Sequence, residues 1–255
     1  VIQRRSFITG ALAGASIGAL LGRLGGRRAE PSPPPPPPPP PQIPPEARLS
    51  FSQQGEDIVL FHVLRDLLKV AAPTYLDVGA AEPVLGSNTY LLYTTGGHGV
   101  LVEPNPDYVA KLRAQRPNDV VVAAGIGIGR ETEADYYEIR GHPPLNTFSP
   151  GVVEELRKQL GVEVERVVKM PLLNVNEVIA THLGRAPDLL SIDVEGLDLA
   201  ILRTLDFERW RPGVIIAETG SPPNEKLARF ILSKGYVVRG GSVINTVFVD
   251  RRRIG

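Results

Sequence analysis

The chain has 255 residues, 42% of them apolar, with 28 basic and 28 acidic side chains and no cysteine. That length fits one α/β domain plus a tail, and the missing cysteines exclude thiol nucleophiles, disulfides and cysteine-ligated zinc. Five basic residues and one acid fall in the first 30, leaving 23 basic against 27 acidic residues in the rest; a mildly acidic body without a long basic run argues against nucleic acid as a partner, which needs several phosphate-neutralising Lys or Arg.

The chain opens with Gln3-Arg-Arg-Ser-Phe-Ile8 and an uncharged run from Ser6 to Gly22, closed by Arg23, Arg27 and Arg28. A twin arginine ahead of a weakly apolar Gly/Ala-rich stretch reads as a twin-arginine export signal or a membrane anchor over residues 1–30. As a helix the run would reach ~26 Å, marginal for a hydrocarbon core of ~30 Å. No small-x-small cleavage site is evident, which favours a retained anchor. Gly10, Gly14, Gly18 and Gly22 recur every four residues, a seam suited to weak self-association of membrane helices. From Pro31 to Pro45 the chain is proline-rich, with an unbroken run ending at Pro41. Such a run forms a stiff polyproline II rod of ~46 Å, so residues 31–46 are expected to be a spacer and residues 47–255 the folded domain.

Within that domain, Ile58, Val59, Leu60, Val63, Leu64, Leu67 and Leu68 are spaced as an amphipathic helix ended by Pro73. Tyr75, Leu76 and Val78 form a first buried strand. Ser87 is a plausible cap for a helix through Tyr90 to Tyr93. Val100 to Val102 form a second strand, and Asn105-Pro106-Asp107 starts a helix running to about Gln115. A third strand is expected over Asp119–Ala124 and another over Glu133–Ile139. A loop from Gly141 to Ser149 leads into a helix over Pro150–Leu160. A strand over Arg166–Met170 precedes Asn174-x-x-Glu177, a helix start resembling a capping box. Asp188–Asp193 and Val214–Ala217 read as further core strands, with helices over Leu197–Leu205 and from Ser221 to Leu232. The final strands, Gly235–Arg239 and Ile244–Asp250, are separated by too few residues for a parallel crossover and must be antiparallel. The fold class is therefore α/β: a mostly parallel sheet with helices on both faces and a C-terminal antiparallel hairpin.

The candidate site follows from this order. In such sheets ligands bind outside the carboxyl ends of the strands, near the point where strand order reverses. Asp77 and Gly79 end the first strand, and Glu103 ends the second, where an acid receives ribose hydroxyls; a nucleoside-like ligand is expected. Gly79 has no Cβ to hold such a ligand away. Asp193 and Glu195 flank Val194 as the fourth core strand passes into a helix, and an extended Val194 would put both carboxylates on one face. His142, in the long loop before that strand, is the best histidine candidate for a general base. Asp193, Glu195 and Glu218 could gather a divalent cation, but nothing in their spacing demands one, and no metal site is expected.

Seven segments together resemble the FkbM-type methyltransferases: Ser52-Gln-x-Gly-Glu-Asp57, Leu76-Asp-Val-Gly-Ala80, Ser87-Asn-Thr89, Val102-Glu-Pro-Asn105, Asn146-Thr-Phe-Ser149, Leu190-Ser-Ile-Asp-Val-Glu-Gly196 and Asn245-Thr-Val-Phe-Val249. The resemblance covers nearly the whole folded domain. It implies a Rossmann-like class I methyltransferase sheet, S-adenosylmethionine as cofactor, and O-methylation of a hydroxyl on a sugar or small metabolite. It places Asp77, Gly79, Glu103 and Asp193 at the cofactor, with Ala80 and Asn105 of the same segments beside them; the candidates for the chemistry are Asp193 together with Glu195 and His142, which are chosen by their position in the chain. One departure from the wider superfamily is Ala81, which stands where D-x-G-x-G has its second glycine. Because the methyl donor is made in the cytoplasm, a membrane-anchored domain is expected on the cytoplasmic side. Two rivals remain: a non-catalytic, membrane-tethered binding module that keeps the fold, and a nicotinamide-dependent oxidoreductase. The latter needs a G-x-G-x-x-G after the first strand, which Asp77-Val-Gly-Ala-Ala-Glu82 does not supply.

Overall fold

A computed structural model describes residues 47–194, 196–220 and 224–254. The expected signal or anchor, its glycine seam, the proline spacer and Glu195 lie outside the described residues. Among the described residues no helix is long and apolar enough to cross a membrane.

In chain order the strands are β1 (Thr74–Val78), β2 (His98–Val102), β3 (Val120–Val122), β4 (Gly125–Ile126), β5 (Glu133–Ile139), β6 (Val164–Leu173), β7 (Leu189–Ile192), β8 (Val214–Glu218), β9 (Tyr236–Gly241) and β10 (Asn245–Asp250). The α-helices are α1 (Glu56–His62), α2 (Tyr90–Thr94), α3 (Pro106–Gln115), α4 (Pro150–Leu160), α5 (Val175–His182), α6 (Asp198–Thr204) and α7 (Glu225–Ser233). The main sheet has the order β3-β2-β1-β7-β8-β10-β9. Helical crossovers make β3, β2, β1, β7 and β8 mutually parallel. The short link from β9 permits only an antiparallel return, so β10 runs antiparallel to both β8 and β9. The hairpin is thus not a simple edge addition: β10 inserts inside and leaves β9 at the edge. Strand order reverses between β1 and β7, which opens a crevice above their carboxyl ends.

Side chains alternate across each strand, and the core divides accordingly. Leu76, Val78, Leu190 and Ile192 pack with α5, α6 and α7 on one face. Tyr75, Leu101, Leu189 and Ile216 pack with α1, α2 and α3 on the other. Every residue of β1 and β7 is buried, as central parallel strands covered on both faces must be.

Some boundaries differ from expectation. The third strand is broken: the Ala124 N–H turns back to the Val122 carbonyl at 3.1 Å, and Gly125–Ile126 leaves the main sheet to pair with β6. β4, β6 and β5 form a second sheet, β5 antiparallel to β6, which was legible only as separate strands. The first helix widens to π geometry over Val63–Leu67. Helix α7 is capped by Asn224, whose side chain accepts from the Leu227 N–H at 3.2 Å; Ser221 and Pro222, the expected start, lie outside the described residues. Ser87 sits two residues before Thr89, the residue at the cap position of α2, yet its hydroxyl accepts from the N–H groups of Thr89 and Tyr90, so it does satisfy free donors there.

Candidate active site

The tips of β1, β2 and β7 are tied together by main chain. The N–H groups of Gly79 and Ala80 both donate to the Val102 carbonyl, at 3.0 and 3.2 Å, and the Asp193 N–H donates to the Val78 carbonyl at 3.0 Å. Gly79 has φ +84°, and a Cβ on it would lie 2.0 Å from the Asp193 carbonyl oxygen. Its lack of a side chain is therefore demanded by the neighbouring strand rather than by the approach of a ligand. Ala81 has φ +46°, so the backbone keeps at this position a left-handed turn that favours glycine. That turn aims the Ala81 N–H at Glu103.

Two adjoining cavities open around these tips, of about 190 and about 220 Å³. Gly79, Ala81, Tyr108, Asp193 and Gln53 line both. The first reaches over Glu103 and Gly125 to Tyr136, Asn146 and Phe148 of the inserted second sheet and its loop. The second lies over Asp77 and Ser191, walled by Glu82 and the segment Leu85–Asn88.

Glu103 is buried, only 4% exposed, and faces the first cavity. Its Oε2 accepts from the Ala81 N–H at 2.9 Å and its Oε1 from the Asn105 N–H at 2.7 Å. Burial pushes its carboxyl up to about 7, against the pull of those two hydrogen bonds. A carboxylate has about four lone-pair sites, so two main-chain donors leave capacity for ligand hydroxyls on the cavity side. Asp77 is buried too and lines the second cavity. It accepts from Thr89 Oγ1 at 2.7 Å and from Ser191, and burial raises its carboxyl above the usual range despite these bonds. Behind it, the Arg116 guanidinium is 1% exposed and bonds the Tyr75 hydroxyl, Thr89 Oγ1 and the Asp119 carboxylate, the last at 2.8 Å. Asp77 is therefore fastened from the back through Thr89. Asp193 is half-buried and borders both cavities.

The remaining expected residues separate. Ala80 lines the second cavity. Asn105 does not line either: its side chain caps α3 by accepting from the Asp107 N–H at 2.9 Å, and its N–H orients Glu103. His142 is exposed, sits in a turn with its N–H on the Ile139 carbonyl, and lines neither cavity; its neighbour Pro143 reaches the first. The loop reaches that cavity through Asn146, Thr147 and Phe148 as well, and not through His142. Sequence reasoning missed Gln53, Tyr136 and Phe148 as cavity walls and Arg116 as the buried anchor. Gln53 and Phe148 stood in quoted segments, which was the available signal. Tyr136 and Arg116 carried none.

The residues fit an adenosine-bearing cofactor. A buried carboxylate aimed by two N–H groups faces a cavity with aromatic walls, and the three strand tips converge beneath it. A family model described as the methyltransferase FkbM domain matches residues 77–238, well over half of the chain. No curated protein matches the sequence. Among solved structures, the chain is similar to precorrin-6y C5,15-methyltransferase from Geobacter metallireducens, at 14% identity and TM-score 0.43, covering 78% of this chain and 89% of that one. It is also similar to an O-methyltransferase from Bacillus cereus in complex with SAH, at 14% identity and TM-score 0.39, covering 80% and 84%. A TehB-like SAM-dependent methyltransferase from Corynebacterium glutamicum gives 11% identity and TM-score 0.40 over 78% and 89%. Likenesses this distant carry no argument about the reaction.

Proposed function

The chain belongs to the FkbM methyltransferase family, and from that premise we propose that it methylates a hydroxyl oxygen of a sugar or small metabolite. Its cofactor is S-adenosylmethionine, which when bound supplies an electrophilic methyl group on a cationic sulfonium. Glu103 would hold the ribose hydroxyls; its buried carboxylate, aimed at the first cavity by Ala81 and Asn105, is the observation that carries this reading. Gly79, Ala80 and Asp77 would shape the floor beside it, Asp77 through the Thr89–Arg116 anchor. Asn105 would act through Glu103 and not by touching the ligand.

Methyl transfer to oxygen asks the protein to align the acceptor and to receive the proton its hydroxyl releases. Asp193 borders both cavities and is the residue assigned to that proton. Glu195 shares the assignment on its sequence position alone. His142 does not share it, being exposed outside both cavities. The leader and proline rod are read as an anchor and spacer holding the domain at the cytoplasmic face of a membrane, where the methyl donor is made.

Incubation of the protein with methyl-labelled donor and a small-molecule cell extract tests the reading. A labelled product stable to alkali, as an ether is and an ester is not, should form with the wild-type chain and fall at least tenfold in Glu103→Ala. A chain that neither labels a product nor binds S-adenosylhomocysteine would refute it in favour of a binding module.

A further inference from the structure

Tyr108, in the first turn of α3, borders both cavities and is only 8% exposed. Lys111, one helical turn on, braces its ring: the ammonium lies 5.2 Å from the ring centroid and is itself paired to Glu82 at 2.5 Å. Among the described residues the Tyr108 hydroxyl has no hydrogen-bond partner, whereas every sealed side-chain oxygen and nitrogen has one, so the hydroxyl opens onto the cleft. Water or a ligand atom must receive it there. Burial, and next the Glu82 carboxylate, push this phenol above its ordinary range; at neutral pH it keeps its proton and acts as a donor.

We propose that Tyr108 is a cofactor-binding residue whose hydroxyl donates to the carboxylate of the cofactor's amino-acid tail. With the ribose on Glu103 in the first cavity, the tail would pass Gly79 and enter the second, since Gly79 borders both. There the tail ammonium has the Asp77 carboxylate as a counter-charge, and the tail carboxylate needs donors. Among the described residues no Lys, Arg or His borders either cavity, so those donors are neutral. The main chain of the turn after β1 has none to give: the N–H groups of Gly79 and Ala80 go to Val102 and that of Ala81 to Glu103. Two hydroxyls in the second cavity are also taken, Ser191 by Asp77 and Ser87 by Thr89 Oγ1 at 3.4 Å. Gln53 is exposed and Asn88 half-buried, which leaves Tyr108 as the buried donor, a stiff side chain that loses little freedom on binding. A hydrogen bond to an ionised acceptor is roughly twice as strong as one between neutral groups, and Lys111 offsets the charge of Glu82, the acid beside it.

The inference rests on the methyltransferase reading, and calorimetry with two ligands separates the two. The full chain and its Tyr108→Phe variant are titrated with S-adenosylhomocysteine and with decarboxylated S-adenosylhomocysteine, which keeps the tail amine and lacks only the carboxylate. Loss of the hydroxyl should weaken S-adenosylhomocysteine by about tenfold or more, the worth of a hydrogen bond to a charged group, and the decarboxylated ligand by less than about twofold, the signature of direct coupling between hydroxyl and carboxylate. Equal losses for the two ligands would put the hydroxyl on the ribose or the base, or reduce it to packing, and overturn the inference; so would a variant that binds S-adenosylhomocysteine as tightly as wild type. Equal affinities of the wild-type chain for the two ligands overturn it even if the variant does not fold. Each of these outcomes leaves the methyltransferase reading standing. A wild-type chain that binds neither ligand sinks both.

Discussion

Ala81 holds a conformation that suits a residue it is not. At φ +46° its Cβ crowds the backbone, a cost of about 1–2 kcal/mol for a non-glycine residue. Glycine would remove that strain but gives back about 0.4–1 kcal/mol through its freer unfolded chain. Ala81→Gly should therefore stabilise the protein by about 0.5–1 kcal/mol, which for a domain this size raises the melting temperature by ~1–4 °C; a lower melting temperature would show that the left-handed turn is not strained. Glu103 makes a second residue-scale prediction, through pH. Its carboxyl sits at about 7 in the folded protein against an ordinary 4.5. The folded state thus binds a proton that the unfolded state does not between those values, and this group's contribution to stability falls as pH rises across that window. Ligand hydroxyls prefer the ionised carboxylate, so binding has the opposite slope. The affinity for S-adenosylhomocysteine should be flat above pH ~8 and weaken by up to ~tenfold per unit below 7. Calorimetry on Glu103→Gln should find binding weak at every pH and without that slope.

At the scale of elements, what could be read ahead of the structure was what is encoded locally. Ser149, Pro150 and Gly161 bracket α4 as cap, first residue and left-handed stop, and Asn105 and Pro106 do the same for the start of α3; both helices stand where these residues put them. The split between β3 and β4 was not legible, because Val122 and Gly125 differ in partner strand rather than in local preference. Gln53 escaped for the same reason: its place over the cleft depends on the pairing of Phe51 and Ser52 with Gly86. The segment Ser52–Asp57 marked the family, yet most of it fastens elements together. Glu56 is fully buried and joins the start of α1 to the turn between β9 and β10. Burial opposes its charge, but the hydrogen bonds from Ser242, Asn245 and Gln54 prevail and hold its carboxyl below the ordinary 4.5. Glu56→Ala would leave those donors without their acceptor, at a cost of about 2–4 kcal/mol, measurable by urea unfolding at pH 7. The lowered carboxyl stabilises the fold above 4.5 and loses that effect as pH falls through its folded value. The deficit of the variant should accordingly shrink in acid, and a deficit independent of pH would show that the side chain acts by packing alone.

The cleft draws on the whole molecule. Gln53 comes from the turn before α1, Gly79 from the tip of β1, Glu103 from that of β2, Asn146 from the loop of the inserted sheet and Asp193 from the end of β7. These segments are distant in sequence and meet only in the folded chain, so a ligand that fills the cleft binds the native state and has no counterpart site in the unfolded one. Stabilisation then follows mass action: at a free concentration one hundred times its dissociation constant, a ligand adds about 2.7 kcal/mol, worth ~5–11 °C in a domain of this length. S-adenosylhomocysteine should produce a shift of that order with wild type, and a much smaller one at the same concentration with Glu103→Gln, whose aimed carboxylate is gone. NADH should produce none, because the turn after β1 presents Gly79-Ala-Ala81 with its N–H groups already bonded to Val102 and Glu103. No donor of that turn is left to cradle a pyrophosphate, which a dinucleotide site requires. A shift with NADH and none with S-adenosylhomocysteine would mean that those N–H groups release their internal partners on binding, and that the crevice at the strand reversal serves a different cofactor.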